Sequence, residues 1–270
     1  MGSNISVIIT TKNRIKLLER AVNSVFNQSL LPDELIIVDD GSNDHSSDFV
    51  SNLFHKSVEI HLIKNLESKG ACAARNQGIK LSSSKFVALL DDDDEFDEKR
   101  LEVLKYNYCE KYSFIASEAK IVERNKTVRR RKIVKLSHMV PNNAIGSPIF
   151  VEKGRIEKIG GFDVTLPSSQ DWDMWYRLIK EFGPAEIVSQ PLYLIHEDNI
   201  PRITTGSNRY IGKQESYNKH KNDFNEIQKL LFRIKILKMK GGKISFVKKI
   251  IYKSFMFFEV LSEKISRFIR

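Results

Sequence analysis

The sequence predicts an α/β fold built on a mostly parallel sheet with helices on both faces. Short apolar runs rich in β-branched residues occur four times before residue 110, and such runs are typical of strands buried on both faces. Segments with apolar residues at helical spacing separate these runs. Polar clusters follow three of the runs, where parallel strands would present their carboxyl ends to a ligand.

The first 110 residues alternate between predicted strands and helices. Pro32 ends the first helical region, and the second strand stops at Asp39-Asp40-Gly41-Ser42. The strands are predicted at 6–10, 34–38, 58–63 and 85–90, and the helices at 15–27, 46–54 and 70–79. Because the carboxyl ends of parallel strands share one edge, the clusters 10–13, 39–42 and 91–95 are expected to meet there.

The rest of the chain divides into two further parts. Extended-looking runs and loops over 112–150 are expected to cover the cleft, and helices are predicted at 152–158 and 171–182. From about residue 225 the chain is predicted to form basic amphipathic helices, broken at Gly241-Gly242. The boundaries expected from this pattern are 1–110, 111–224 and 225–270.

The charge of the chain is unevenly distributed. The formal net charge is +10, yet residues 208–270 alone carry 16 Lys and Arg against 5 Asp and Glu. An anionic partner for this segment, either a membrane or a nucleic acid, is therefore indicated. Two cysteines, Cys72 and Cys109, fit a reducing compartment. The apolar run 5–9 is too short for a signal peptide or a membrane span, so a cytoplasmic location is expected.

The five carboxylates of Asp91–Glu95 are the sharpest chemical signal. Adjacent carboxylates repel one another unless a cation or a positive partner neutralises them. Hard oxygen ligands suit Mg²⁺ or Mn²⁺, which often bind through one or two carboxylates plus substrate phosphates. A solvated acidic loop that caps the next helix is the alternative. The position after the fourth strand favours metal binding.

Other polar residues have two readings each. Asp39 and Asp40 could accept bonds from a base edge or a ribose, or form an Asx turn with Gly41. Asp171 and Asp173 could cap a helix, or one of them could act as general base toward an acceptor hydroxyl. His196, after the apolar run 191–195, is more typical of a structural histidine than of a ligand.

Absent motifs exclude several function classes. Neither G-x-G-x-x-G nor G-x-x-x-x-G-K-[ST] follows the first strand, which argues against a dinucleotide oxidoreductase and a P-loop enzyme. A nucleotidyltransferase would show a glycine-rich basic loop there, and Thr10-Thr-Lys-Asn-Arg14 has no glycine. No nucleic-acid recognition motif is present, so no nucleic-acid partner is predicted.

Taken together, the clusters resemble the inverting family-2 glycosyltransferases of GT-A fold. The resemblance covers about residues 4–200. The motifs together are specific for this family, although each motif alone is not. It is carried by Ser6-Val-Ile-Ile-Thr-Thr-Lys-Asn13, by Glu34-Leu-Ile-Ile-Val-Asp-Asp-Gly-Ser42, by Gly70 with Ala74-Arg75-Asn76, and by Leu90-Asp-Asp-Asp-Asp-Glu95.

The resemblance implies a role for each matching residue. The first 110 residues would bind a nucleotide sugar, and 111–224 would supply acceptor binding and catalysis. Asp91-Asp92-Asp93 covers the family's D-x-D motif, with Asp91 and Asp93 as metal ligands. The base would be Asp171, with Asp173 as alternative, because Gln170 stands where the family has Glu. Residues placed against the donor would be Thr10, Lys12, Asp40, Arg75, Asp91, Asp92, His196 and Arg202.

The implied reaction is a single displacement that inverts the anomeric carbon of the sugar. UDP-glucose, UDP-galactose and their N-acetylated forms are the implied donors, with Mn²⁺ or Mg²⁺ as cofactor. A lipid-diphosphate-linked saccharide of bacterial O-antigen or capsule assembly is the implied acceptor. The alternatives are a nucleotide-sugar-binding protein without catalysis and a nucleotidyltransferase; a metal cluster together with a base favours a transferase over a binding protein.

The end of the chain predicts a membrane contact. Residues 244–269 place Phe and Ile at helical spacing with Lys and Arg between them, the pattern of a helix that lies in a membrane interface. The alternative is a helix packed on the protein's own core or in an oligomer. A lipid-linked acceptor favours the first, and we expect a peripheral protein on the inner face of the cell membrane.

Overall fold

The computed structural model describes residues 2–146, 148–197, 208–242, 245–246 and 250–255. These residues form one ten-stranded sheet flanked by helices. The strands are β1 (Ile5–Thr11), β2 (Glu34–Asp39), β3 (Glu59–Lys64), β4 (Phe86–Asp91), β5 (Glu95–Phe96), β6 (Ile115–Ile121), β7 (Lys126–Val128), β8 (Ile133–Val134), β9 (Phe150–Glu152) and β10 (Ala185–Ile195). The helices are α1 (Ile15–Phe26), α2 (Ser46–Ser51), α3 (Ala71–Leu81), α4 (Arg100–Asn107), α5 (Lys153–Lys158), α6 (Gln170–Phe182), α7 (Asn208–His220) and α8 (Glu226–Met239).

The strand order brings the predicted polar clusters to one edge. The sheet runs β3-β2-β1-β4-β9-β6-β10-β5, with β7 paired to β6 and β8 to β10. β1 to β4 are parallel to one another, and β9 is antiparallel to both of its neighbours. Thr10 and Thr11 of β1 therefore lie level with the ends of β4 and β2, at Asp91 and Asp39. The predicted mostly parallel α/β sheet is confirmed.

The core has two layers because alternate residues of a strand face opposite sides of the sheet. Val7 and Ile9 of β1 pack with α1 and α4 on one face, whereas Ile8 packs with α3, α6 and α8 on the other. All three are at most 1% exposed, which explains why β1 is an unbroken apolar run. Helices thus cover both faces, as predicted.

Two short features were not predicted from the sequence. The acidic run ends in a strand, because Glu95 and Phe96 form β5 and pair with β10. The apolar run at 191–195 is only the last part of β10, which begins at Ala185 and has register shifts on both sides of Pro191. Proline has no N–H to donate to a neighbouring strand, which explains an irregularity at this point.

The C-terminal region joins the body of the protein through α8. Phe232 and Ile236 of α8 are buried in the same core as α6, and Asn225 caps the helix in a capping box with Gln228. Tyr252 packs against Leu231 and Ile234 of the same helix. Much of the predicted membrane helix at 244–269 lies outside the described residues. No helix in the described ranges combines the length and apolar character needed to cross a membrane.

Candidate active site

A cleft of about 750 Å³ opens at the carboxyl ends of β1, β2 and β4. The amino end of α6 and the loop at Pro141 form its opposite side, and α7 and α8 close one end. Eight of the residues predicted from the sequence line it, namely Thr10, Lys12, Asp40, Arg75, Asp91, Asp92, Asp93 and Asp171.

Asp40 lines the cleft but is 5% exposed and is fully engaged by the loop after β3. One carboxylate oxygen accepts from Asn65 Nδ2 at 3.0 Å and from the backbone N of Lys69 at 2.8 Å. The other accepts from Ser68 Oγ at 2.6 Å and from the backbone N of Gly70 at 2.9 Å. Burial alone would raise the pKa of Asp40, yet these four bonds lower it. Asp40 therefore shapes the cleft wall as a fixed anion.

Asp39 and the β1 end complete this wall. Asp39 is fully buried and accepts from the backbone N of Ser42, three residues further on, at 2.8 Å, so its carboxylate holds the turn that follows β2. Thr10 is half-buried and Lys12 exposed at the cleft. A hydroxyl and an ammonium at this wall are groups that can contact the base or phosphates of a nucleotide.

The four aspartates after β4 are compensated in different ways. Asp92 points toward β1 and α1, where Thr11 Oγ1 donates to it at 2.8 Å and Arg14 Nη1 at 3.0 Å. Burial raises the pKa of Asp92 to about 6, against the opposing effect of Arg14. Asp92 is thus held by the protein itself.

Asp91, Asp93 and Asp94 form a compact group of carboxylates. Each offers an oxygen within 4.8 Å of the others, a set that can hold a divalent cation. Asp94 is 6% exposed, and burial together with the charges of Asp91 and Asp93 raises its pKa to about 8. Asp91 is paired with Arg75 and Asp93 lies 3.6 Å from Arg14, so Asp94 is the member of the group whose negative charge the fold disfavours.

Arg75 connects the acidic group to the amino end of α6. Its guanidinium donates to Asp91 at 2.8 Å and lies 3.7 Å from Asp171 Oδ1. Burial would lower the pKa of Arg75, but Asp171 and Asp91 raise it above its ordinary value. Its guanidinium also lies over the Phe162 ring, 5.4 Å from the centroid. The arginine is therefore charged and held in place.

The Gly160-Gly161-Phe162 turn supports Arg75 through the neighbouring Asn76. Asn76 donates to the carbonyl of Phe162 and accepts from its backbone N, both at 2.8 Å. Gly161 has φ of +71°, and a Cβ there would meet Asn76 Oδ1 at 2.6 Å. The Arg75-Asn76 motif and the glycine turn, separate in sequence, thus form one structural unit.

The structure distinguishes Asp171 from Asp173. Half of the Asp171 side chain is exposed to the cleft, and partial desolvation and the charge of Asp91 raise its pKa despite Arg75. Asp173 is fully buried on the other side of α6 and lies outside the cleft lining. It accepts from His220 at 2.7 Å and from Arg177 at 2.8 Å, and pairs with Lys219. Only Asp171 can reach a bound molecule directly.

His196 supports the acidic group from behind. It does not line the cleft: its ring nitrogens lie 2.6 Å from Glu95 and 3.1 Å from Glu123. Its backbone N donates to Asp94 at 3.1 Å. Direct donor contact by His196 therefore remains a prediction that this geometry does not favour, and Arg202 lies outside the described residues.

Several residues of the site were not predicted from the sequence. Asp94 belonged to the acidic run, but its place in the carboxylate group depends on the turn that follows β4, in which its backbone N bonds to the Asp91 carbonyl. Tyr193, in the apolar run of β10, bonds to Asp94 through its hydroxyl. Arg14 follows the first strand in the sequence, but nothing in the sequence predicts that it contacts Asp92.

Comparisons with known proteins give consistent matches. The sequence profile of glycosyl transferase family 2 matches residues 6–156. The putative colanic acid biosynthesis glycosyl transferase WcaA of Escherichia coli K12 is 29% identical over 247 residues, covering 83% of this chain and 84% of WcaA.

Two solved structures share the fold. Staphylococcus aureus TarS 1-349, in complex with UDP-GlcNAc, superposes with a TM-score of 0.68 at 16% identity, covering 93% of this chain and 78% of that one. The mannosyltransferase PcManGT of Pyrobaculum calidifontis, in complex with GDP-Man and Mn²⁺, gives a TM-score of 0.63 at 16% identity, covering 87% and 69%.

The contrast between the two aspartates of α6 predicts different effects on stability. Asp173→Asn should lower the free energy of unfolding by about 3 kcal/mol, because Arg177 and Lys219 lose their buried counter-charge. Asp171→Asn, the matched change two residues away, should cost less than about 1 kcal/mol because the side chain is half exposed. Urea denaturation at pH 7 measures both.

The pH dependence gives a second check. Burial would raise the pKa of Asp173, but His220, Arg177 and Lys219 lower it, so its stabilising effect exists above its ordinary pKa. The difference between wild type and Asp173→Asn should therefore shrink as pH falls below about 4. Equal stability of the two proteins at pH 7 would show that the Asp173 network is not structural.

Proposed function

The chain belongs to glycosyl transferase family 2 and is a glycosyltransferase of GT-A fold, and from this premise we propose that it is a metal-dependent, inverting hexosyltransferase. One observation carries the proposal: a group of three carboxylates and a half-exposed aspartate share one cleft, and Arg75 contacts both. This arrangement can bind the leaving diphosphate and take up a proton within the same space.

The three carboxylates fit a divalent cation. Oxygen atoms of Asp91, Asp93 and Asp94 lie close enough together to bind one ion, and hard oxygen ligands match Mn²⁺ or Mg²⁺. Asp91 and Asp93 are the ligands predicted from the sequence, and Asp94 adds a third. When bound, such an ion would stabilise the negative charge that develops on the departing nucleoside diphosphate.

Asp171 is the proposed general base. Its raised pKa improves its ability to accept a proton, and its position at the cleft lets an acceptor hydroxyl approach it. As the hydroxyl oxygen bonds to the anomeric carbon, its proton passes to Asp171 and the bond from that carbon to the diphosphate oxygen breaks. Arg75 compensates charge on both sides of this displacement because it contacts Asp171 and the acidic group.

The donor is proposed to be a UDP-sugar, either UDP-glucose, UDP-galactose or an N-acetylated form. The fold neighbour TarS 1-349 binds UDP-GlcNAc, whereas PcManGT binds GDP-Man, so the fold is compatible with both bases. Thr10, Lys12 and the wall fixed by Asp40 are the proposed nucleotide contacts. Asp40 would act through the loop that it holds, because its two oxygens already accept four bonds.

The acceptor is proposed to be a lipid-diphosphate-linked saccharide of bacterial surface polysaccharide, such as O-antigen or capsule. The name of WcaA, colanic acid biosynthesis glycosyl transferase, supports a polysaccharide. Exposed Phe246 and Ile250 belong to the apolar pattern that favours peripheral attachment on the cytoplasmic face of the membrane.

A vesicle assay tests the membrane proposal. Removal of 256–270 takes away much of the apolar and basic pattern and leaves Tyr252, which packs on α8. The shortened chain should bind anionic vesicles several-fold more weakly, and the full chain should dissociate partly in high salt because salt screens the lysines. Neutral vesicles are the control; equal sedimentation of both chains with anionic vesicles would contradict the proposal.

The transfer reaction is tested at Asp171. Asp171→Asn keeps the shape of the side chain but cannot accept the proton, so turnover should fall about a hundredfold or more while UDP binds within about twofold. Nucleoside diphosphate release from a panel of UDP-sugars and GDP-mannose with Mn²⁺ is the measurement.

Two variants of the same helix serve as comparisons. Glu181→Gln, on the surface at the far end of α6, should leave turnover unchanged. Asp173→Asn should lose activity only in proportion to unfolded protein. If the Asp171→Asn enzyme keeps wild-type turnover, Asp171 is not the general base.

A further inference from the structure

One end of the cleft is basic. Arg209 and Lys213, one helical turn apart on α7, line it together with Lys235 of α8. Lys213 is only 6% exposed, and its ammonium lies 4.3 Å from the centroid of the Trp172 ring and 4.5 Å from that of Phe232. A lysine this deeply buried is held at the cleft by aromatic packing rather than by an acidic partner.

The three cations lack a carboxylate partner within 4.0 Å in the described part of the chain. Two other lysines of the same two helices are paired. Lys219 of α7 contacts Asp163 and Asp173, and Lys229 of α8 contacts Glu226 at 2.7 Å. Arg233 and Lys238 of α8 also lack a carboxylate within 4.0 Å among the described residues, but they lie over the rings of Tyr217 and Tyr252, outside the cleft lining. Arg209, Lys213 and Lys235 are distinguished by facing the cleft without a counter-charge.

The electrostatic effect of this arrangement is repulsive. Burial, and then the charge of Lys235, lowers the pKa of Lys213 to about 7. Burial and the charges of Arg209 and Lys238 also lower the pKa of Lys235. An anion at this end of the cleft would relieve the repulsion and restore full charge on both lysines. Two ammonium groups and a planar guanidinium match the several oxygens of a phosphate.

Asp171, the proposed base, and its neighbour Trp172 connect the acidic group to the basic end of the cleft. Contacts run from Asp91 through Arg75 to Asp171, and the adjacent Trp172 carries Lys213 over its ring. The donor diphosphate already has cationic partners at the acidic end, namely Arg75 and the proposed metal. In an inverting displacement the attacking hydroxyl approaches opposite to the leaving diphosphate. Arg209, Lys213 and Lys235 are cleft-lining cations that form no ion pair with the acidic group in the described part of the chain.

We propose that Arg209, Lys213 and Lys235 bind a phosphate or diphosphate group carried by the acceptor. The inference rests on the proposed function, since Asp171 as base defines which end of the cleft the acceptor occupies. It names the acceptor class as phosphate-bearing and gives these three residues a positioning role. Part of the positive charge of the C-terminal segment would then recognise substrate.

Calorimetric titration of the full chain with inorganic pyrophosphate tests the proposal. Pyrophosphate should bind to the metal-free protein, and also to protein saturated with UDP and Mg²⁺. Lys213→Met, which keeps the apolar stem, should weaken binding about tenfold or more, as expected for loss of one hydrogen bond to a charged group. Lys235→Gln and Arg209→Gln, both nearer the surface, should weaken pyrophosphate binding to a similar extent. They test the subsite even if Lys213→Met fails to fold.

Lys229→Gln is the matched control on α8 and should bind pyrophosphate and UDP like wild type. All variants should bind UDP within about twofold of wild type, which separates this proposal from failure of the donor site. If UDP and pyrophosphate compete for one site, the acceptor assignment is wrong. The three cations would then bind the diphosphate of the donor. Unchanged pyrophosphate affinity in the three cleft variants would overturn the subsite itself.

Discussion

The arrangement of the cleft follows from the mutual repulsion of four consecutive aspartates at the end of a buried strand. Like charges this close cannot remain ionised without compensation. Asp92 is compensated by Thr11 and Arg14, and Asp91 by Arg75. Among the described residues Asp94 receives a backbone N–H and a tyrosine hydroxyl, and burial with the charges of Asp91 and Asp93 still raises its pKa to about 8. The compensation left incomplete by the protein is what a divalent cation and a substrate can supply.

The two ends of the cleft therefore carry opposite charges. The acidic end brings Asp91, Asp93 and Asp94 together and leaves the charge of Asp94 disfavoured, and the basic end places Lys213 beside Lys235. Asp171 lies between them and is tied to the acidic end by Arg75. A cation with a diphosphate at one end and an anionic acceptor at the other would neutralise both, with the proposed base between the reacting groups.

Sequence reasoning was most successful where a local pattern determines local structure. Buried strands such as β1 and β4 were predictable because apolar β-branched runs have few alternatives, and parallel topology then placed their polar ends together. It could not separate Asp171 from Asp173. Residues two apart on a helix differ by about 200° in direction, and only the packing of α6 shows which one faces the cleft. The basic end was also hidden, because the sequence assigned the positive charge of 208–270 to a tail, while Lys213 becomes cleft-lining only through the packing of α7 on Trp172.

The central claim is that the end of β4 and the amino end of α6 form one metal-assisted transfer site. A crystal of the full chain grown with UDP and Mn²⁺, measured at the manganese absorption edge, tests it directly. We expect one anomalous peak about 2–2.3 Å from carboxylate oxygens of Asp91, Asp93 or Asp94 and in contact with the UDP phosphates. A peak elsewhere, or UDP bound in the cleft without manganese at these carboxylates, would contradict the account.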